Sequence, residues 1–253
     1  MSESHELWNE IADGTLSQEQ LRQMDAYLDL LIAKNEELNL TRITDRADAE
    51  RRHVADALTL LPLIDEHIAG WLTIGHMTFK ETMAQMHRFD DAVASAVDGD
   101  LELDVVRLKK QPAVTLADVG TGGGVPGVFL AIARPKLRVT LIDSTGKKMV
   151  AVKAMCDAIG LTNVRTLTAR AEAVREKFDI VTARAVADLE TLVKWCAPLM
   201  SNSSLLLAPK GPKAMAEIKA AERQLRRARL AARVVGDLHP SLPGHAVVVV
   251  EPG

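Results

Sequence analysis

The sequence predicts an α/β fold: a mostly parallel sheet with helices on both faces, preceded by a helical extension and interrupted by a helical insertion. Three observations predict it. From residue 113 on, short apolar runs alternate with helical patterns, the signature of a parallel sheet. A glycine-rich loop stands between the first such run and the first helix behind it. The chain has 253 residues, 47% of them hydrophobic and 26% charged, enough for one large domain or one domain with an appendage, and not the composition of a disordered chain.

Residues 1–66 read as a helical extension. Ser17 with Gln20 forms a capping-box pattern, and Leu21, Met24, Leu28, Leu31 and Ile32 follow at helical spacing. A polar turn, Asn39 to Asp45, precedes a second helix striped by Val54, Ala57, Leu58 and Leu61, which Pro62 is expected to end. Residues 67–112 have another texture. Met77, Met83 and Met86 stand among Phe79 and Phe89, with Val93 and Val97 beyond, as in an amphipathic helix with methionine as core filler. The acidic run Asp98 to Asp104 reads as a solvated loop.

Residues 113–253 form the sheet domain. Expected strands are Val114–Val119, Leu137–Ile142, Val164–Thr168, Asp179–Thr182 and Ser204–Ala208. Expected helices are Pro126–Arg134, Lys147–Ile159 stopped by Gly160, Leu189–Met200 and a long Lys213–Ala232. Val234–Leu238 and Ala246–Val250 close the chain as an antiparallel pair.

Composition excludes several functions. The net charge of -3 and a pI near 6.2 exclude a nonspecific cationic coat for nucleic acid. Aromatic residues are 3%, too few for a base-stacking platform. The two cysteines, Cys156 and Cys196, have no CxxC partner, so no zinc ribbon or redox pair is expected. No HExxH, GxSxG or complete P-loop occurs, and no metal is expected. The first residues lack the pattern of a signal peptide, and no apolar run reaches bilayer-spanning length. A soluble cytoplasmic protein, a monomer with no membrane contact, is the expectation.

The informative segment runs from Asp118 to Gly127: Asp-Val-Gly-Thr-Gly-Gly-Gly-Val-Pro-Gly. Glycines here allow a tight turn and close approach of backbone to a ligand, and the helix start behind them suits an anion. Asp143 follows at the end of the next strand, where a carboxylate can accept from both ribose hydroxyls of a nucleoside. Two ligand classes fit. A dinucleotide frame, GxGxxG, is met by Gly122, Gly124 and Gly127 but begins late in the loop. Counted from the strand end, the loop is instead Asp-x-Gly-x-Gly-x-Gly, which resembles the S-adenosylmethionine loop of class I methyltransferases.

Further motifs narrow the class. Asn39-Leu40-Thr41 precedes Arg52-His53-Val54-Ala55-Asp56-Ala57-Leu58. The glycine loop continues into Ile132-Ala133-Arg134-Pro135, then Leu141-Ile142-Asp143-Ser144 and Gly146-Lys147-Lys148. Arg170-Ala171-Glu172, Thr182-Ala183-Arg184-Ala185 and Lys210-Gly211-Pro212-Lys213 follow. In this order the set resembles the bacterial RsmG (GidB) family, the 16S rRNA (guanine(527)-N7)-methyltransferases, over about residues 30–66 and 113–215. Two features depart from that family: residues 67–112 intervene where it has a short linker, and Ala57 stands where it usually has Ser.

The resemblance implies a Rossmann-like class I methyltransferase domain over 113–253 and S-adenosylmethionine as cofactor. It implies cofactor contacts from Gly120, Gly122, Gly124 and Val125 in the loop. Asp143, Ser144 and Thr145 would take the ribose and adenine side, Ala171 and Glu172 the adenine pocket. Arg184 would stand at the cofactor and substrate pocket; read alone, it suits an ion pair at a strand end. The partner implied is 16S rRNA in the small subunit or an assembly intermediate. Asn39, Arg42, His53, Asp56, Lys210 and Lys213 are the candidates for its contact, and His53 with Asp56, one turn apart, also suits a structural pair. The basic helix from Lys213 to Arg229 reads equally as a solvated face.

Guanine N7 has an in-plane lone pair and no proton, so methyl transfer to it needs no general base and no cysteine intermediate. Two rivals remain open at this point: an NAD(P)-dependent oxidoreductase using the Gly122 frame, and a noncatalytic ribosome- or RNA-binding protein of the same fold.

Overall fold

The computed structural model describes residues 2–73 and 113–253. Contacts divide the chain into two compact units, residues 1–61 with 114–253, and residues 62–113. The methionine-rich helix and the acidic loop expected within 67–112 lie outside the described residues. Among those described, no helix is long and apolar enough to cross a membrane.

Helix α1 spans Glu3–Ile11 and α2 spans Gln18–Leu38. The capping box of α2 forms as its sequence predicts: the Gln20 backbone N–H donates to Ser17 Oγ, and the Ser17 N–H to Gln20 Oε1. Its apolar stripe, Leu21, Met24, Leu28 and Leu31, is buried. Asn39 ends it in the left-handed region, φ 48°. The next helix is not one continuous α-helix. It runs as α3, Arg46–Ala49, a π-helical stretch, Glu50–Ala55, and α4, Asp56–Leu58. Pro62 does not close it. It lies in the first turn of a further helix, α5, Leu61–Thr73, where a missing N–H costs nothing.

The sheet has seven strands: β1 Thr115–Val119, β2 Arg138–Asp143, β3 Val164–Thr168, β4 Phe178–Thr182, β5 Met200–Lys210, β6 Leu230–Gly236 and β7 Ala246–Pro252. Their order is β3-β2-β1-β4-β5-β7-β6. The first five are parallel; β7 is antiparallel to both β5 and β6. This is the Rossmann-like class I methyltransferase fold with an N-terminal helical extension.

The connecting helices are α6 Gly127–Ala133, α7 Gly146–Ala158, α8 Leu189–Cys196 and α9 Ala214–Ala228. Strand parity assigns the faces. Ala117, Val119, Val181, Leu206, Val248 and Val250 point to α8 and α9 in one apolar cluster. On the other face α6 lies so close that a methyl on Gly127 would sit 2.9 Å from Asp118 Cβ. There α2 packs over α6 and α7. Gln20 Nε2 donates to Ile132 O and Gln23 Nε2 to Ile159 O, so the extension satisfies carbonyls at the ends of both helices.

Several boundaries differ from the expectation. The α8 helix stops at Cys196, and Pro198 falls in a one-turn 3-10 helix, Ala197–Leu199. The β5 strand extends from Met200 to Lys210, beyond Ser204–Ala208. The last helix ends at Ala228 rather than Ala232, because Arg229 takes the left-handed conformation, φ 57° and ψ 46°, and Leu230 already begins β6.

Candidate functional site

The glycine loop leaves β1 at the carboxyl edge of the sheet. Gly120, Gly122 and Gly124 have φ of 69°, 54° and 84°, a left-handed path that side chains oppose. Asp118 anchors it from below. Its Oδ2 accepts from Thr121 Oγ1 at 2.6 Å and from the Gly127 N–H at 3.0 Å; Oδ1 accepts from Thr182 Oγ1 at 3.1 Å. Complete burial pushes this carboxyl above its ordinary value, while those hydrogen bonds oppose the shift.

Asp143 ends β2 next to the loop. Its Oδ2 accepts from the Gly122 N–H at 3.1 Å and its Oδ1 from the Thr145 N–H at 2.8 Å. Two backbone donors thus fix the carboxylate, and each oxygen retains acceptor capacity for a ligand hydroxyl.

Between these elements lies a cavity of about 340 Å3. Gly120 and Gly122 line it with the polar Asp143, Ser144 and Lys148 and the apolar Ile142, Ala169, Ala171, Val186 and Trp195; Arg170, Glu172 and Ala185 line it as well. A methyl on Gly120 would stand 2.7 Å from Val186 Cγ2, so the loop backbone packs against Val186 as closely as glycine permits. A fixed carboxylate facing apolar walls has the chemistry of a nucleoside site, and the residues present fit the nucleoside half of S-adenosylmethionine.

Of the residues expected at the cofactor, Gly120, Gly122, Asp143, Ser144, Ala171 and Glu172 line this cavity. Gly124 and Val125 do not: a methyl on Gly124 would run into Tyr27 Oη, and Val125 is buried. Thr145 is the N-cap residue of α7 and acts through its N–H on Asp143. Arg184 turns toward the extension instead. Its Nη1 donates to Asp56 Oδ2 and to Arg52 O, both at 2.5 Å, and its Nη2 lies 3.1 Å from His53 Nδ1. The ion pair that Arg184 suited by itself is therefore formed.

A buried polar cluster grows around it. His53 Nε2 lies 2.9 Å from Thr41 Oγ1. Arginine has only donors, so His53 Nδ1 accepts and its proton sits on Nε2, shared with Thr41. Burial and then the Arg184 charge push His53 down to about 4. His245, just before β7, hydrogen-bonds the other Asp56 oxygen through Nε2. Burial alone would raise Asp56; the hydrogen bond from His245 and the Arg184 charge outweigh it and hold the carboxyl below its ordinary value. His53 and Asp56 are thus joined through Arg184.

The residues expected at RNA divide. Asn39, Arg42 and Lys213 are exposed. Lys210 is not: its Nζ donates to Ala187 O at 2.7 Å and pairs with Glu217 at 2.7 Å. Sequence reasoning missed Val186, Trp195 and Lys148 in the cavity and His245 in the cluster. His245 carried a weak signal, a polar residue just before an apolar strand that begins at the ligand edge of the sheet.

With this geometry in place, the chain matches the family described as rRNA small subunit methyltransferase G (GidB) over residues 20–76 and 102–239. The ribosomal RNA small subunit methyltransferase G of Sorangium cellulosum (strain So ce56) is 36% identical over 222 residues, covering 86% of this chain and 75% of that protein. The protein of the same name from Lactobacillus helveticus (strain DPC 4571) is 34% identical over 235 residues, 90% of this chain and 80% of its own. Among solved structures, ribosomal protein L11 methylase from Lactobacillus delbrueckii subsp. bulgaricus aligns with TM-score 0.45 and 18% identity, over 60% of this chain and 75% of that one.

Proposed function

Because the chain belongs to the rRNA small subunit methyltransferase G (GidB) family, we propose that it transfers the methyl group of S-adenosylmethionine to N7 of a guanine in 16S rRNA, guanine 527 by family resemblance. The observation that carries this reading is the span of the family match, which takes in both the helical extension and the sheet domain. The cavity supports the cofactor half.

When bound, S-adenosylmethionine supplies an electrophilic methyl group on a sulfonium. Asp143, fixed by its two backbone donors, would accept from the ribose hydroxyls with the lone pairs those donors leave. Ile142, Ala171 and Trp195, which line the same cavity, would cover an adenine ring and exclude water from it. Gly120 and Gly122 let the loop backbone come close. Arg184, its charge paired by Asp56, is held fixed at the same sheet edge. N7 would form the new bond with its own lone pair as the methyl–sulfur bond breaks and its electrons stay on sulfur, so no residue has to remove a proton. The contribution of the chain is orientation and desolvation, worth up to roughly 7–11 kcal/mol when two reactants are held in line.

Methylated guanine is cationic, and Asn39 and Asp56 are the acceptor candidates near it. Both Asp56 oxygens are engaged and Arg184 pairs its charge, which leaves Asn39 as the candidate. Exposed Arg42 and Lys213 serve RNA phosphates, whereas Glu217 already neutralises Lys210. The dinucleotide frame gains nothing from the geometry: of Gly122, Gly124 and Gly127, only Gly122 lines the cavity. The sheet also inserts an antiparallel strand where a dinucleotide fold keeps the order 3-2-1-4-5-6.

The test is methyl transfer from labelled S-adenosylmethionine to small subunits lacking the modification, with the product mapped on the rRNA. Label at N7 of guanine 527 is expected. Asp143→Ala should weaken cofactor binding roughly ten- to hundredfold, the loss of charged acceptor bonds. Cofactor binding without label would overturn the substrate. Subunit binding without cofactor affinity would favour a noncatalytic ribosome-binding protein.

A further inference from the structure

The glycine loop has two faces, and the second belongs to the extension. A methyl on Gly123 would stand 2.6 Å from Leu31 Cδ1 and 3.3 Å from Leu40 Cβ; one on Gly124 would collide with Tyr27 Oη. These two glycines answer to the close approach of α2 and of the residue just after it, not to a ligand.

Tyr27 stands at the centre of that contact. Its ring is fully buried and meets Phe129 edge-on, with centroids 5.7 Å apart at 90°. A phenylalanine would fill the same space. The hydroxyl does something more: it donates to Gly123 O at 2.9 Å. The Gly123–Gly124 peptide unit also donates, from the Gly124 N–H to Thr121 O at 2.9 Å. Thr121 O belongs in turn to the Thr121–Gly122 peptide unit, whose N–H donates to Asp143 Oδ2 at 3.1 Å. One unbroken chain of hydrogen bonds therefore runs from Tyr27 through two peptide units to the Asp143 carboxylate that lines the cavity. Burial raises the Tyr27 phenol well above its ordinary value, so it remains a donor across the physiological range.

We propose that Tyr27 is a positioning residue for the cofactor: through the Gly123–Gly124 and Thr121–Gly122 peptides it orients Asp143 and the cavity face of the loop, so that the helical extension sets cofactor affinity. The proposal rests on the S-adenosylmethionine reading of the cavity. The reason for the coupling is preorganisation. A loop already held in its binding conformation has little order left to acquire when the ligand arrives. Without the hydroxyl, Gly123 O loses its buried partner and the two peptides are freer to rotate, and binding must then restore their order.

Tyr27→Phe tests this, with two readouts on the full-length protein. Titration calorimetry with S-adenosylmethionine should show a dissociation constant raised about three- to tenfold, with KM for the cofactor rising and kcat at saturation retained. Amide hydrogen exchange in the free protein should quicken at Gly122, Gly124 and Thr145 while the β5–β7 ladder stays protected. The double variant Gly124→Ala with Tyr27→Phe tests the route. The added methyl already displaces the hydroxyl, so the second change should weaken cofactor binding by less than it does alone. Unchanged affinity in Tyr27→Phe, or exchange that quickens uniformly over the sheet, would overturn the proposal and leave Tyr27 a core residue. Wild-type protein that fails to bind S-adenosylmethionine would instead overturn the functional reading, and this proposal with it.

Discussion

Asp118 supports the glycine loop from beneath, fully buried, as acceptor for Thr121 Oγ1, the Gly127 N–H and Thr182 Oγ1. The strand register makes this possible, since Asp118 pairs with Leu141 on one side and Thr182 on the other. Asp118→Ala would strand three donors at once. A loss of the order of 3–5 kcal/mol is expected, read from the midpoint of urea unfolding. A variant within about 1 kcal/mol of wild type would show that the loop holds itself. Asp118→Asn, which keeps the shape but replaces an acceptor oxygen with a donor, should fall between. Residues of the same motif differ in how far their roles were legible. Gly120, Gly122 and Asp143 declare themselves locally, through tight-turn glycines and a carboxylate at the next strand end. Gly124 looks identical on paper, yet its constraint is Tyr27, whose hydroxyl bonds the neighbouring Gly123 from 96 positions away. Arg184 was ambiguous for the same reason: its partner Asp56 lies 128 positions upstream.

At the scale of elements, the alternation of strand and helix was legible because each element is amphipathic with its own period, and the boundaries failed where a local signal was missing. The end of α9 is the clearest case. Neither Gly nor Pro follows Ala228, and Leu230-Ala231-Ala232 continues a helical pattern, so the expected helix overran by four residues. What stops it is Arg229 in the left-handed region, its N–H donating to Arg226 O at 3.1 Å. That conformation costs a non-glycine residue roughly 1–2 kcal/mol. Arg229→Gly should therefore stabilise the protein by up to about 1 kcal/mol, after the larger backbone entropy of glycine is set against the relief. The expected reading is a rise of about 2–4 °C in the thermal midpoint. A fall would mean that the Arg229 side chain holds the helix end by contacts worth more than the strain. Pro62 shows the converse error, a strong breaker taken for an end when it lies in the first turn of α5. The π-helical turn at Glu50–Ala55 has no signature in composition; it places His53, Val54 and Ala55 all in buried positions.

For the molecule as a whole, the joint between extension and sheet is a buried polar cluster, and its chemistry makes the joint sensitive to acid. His53 is 3% exposed and neutral, with Arg184 donating to its Nδ1 and Thr41 sharing its Nε2 proton. In the unfolded chain a histidine takes up a proton near 6.5; in the folded protein His53 resists until about 4. Between those values the unfolded state binds the extra proton, so stability falls as the pH falls. The full stabilisation is present above 6.5, and the gap down to about 4 corresponds to roughly 3 kcal/mol. Asp56 acts in the same direction lower down: its carboxyl is held below the ordinary value, and its contribution disappears as pH falls through that folded value. Neither residue could be read this way from sequence, because the burial of both and the Arg184 charge beside them come from segments more than a hundred positions downstream. Urea unfolding of wild type in steps from pH 7.5 to 4.5 should show stability declining most steeply below 6.5. His53→Gln supplies an oxygen to Arg184 and an N–H to Thr41 without a titrating group, so its profile should be flatter by about 2 kcal/mol over that range, less than the full gap because the steps stop above 4. Parallel profiles for the two proteins would mean that His53 titrates alike in both states and that the acid sensitivity of the joint lies in other groups.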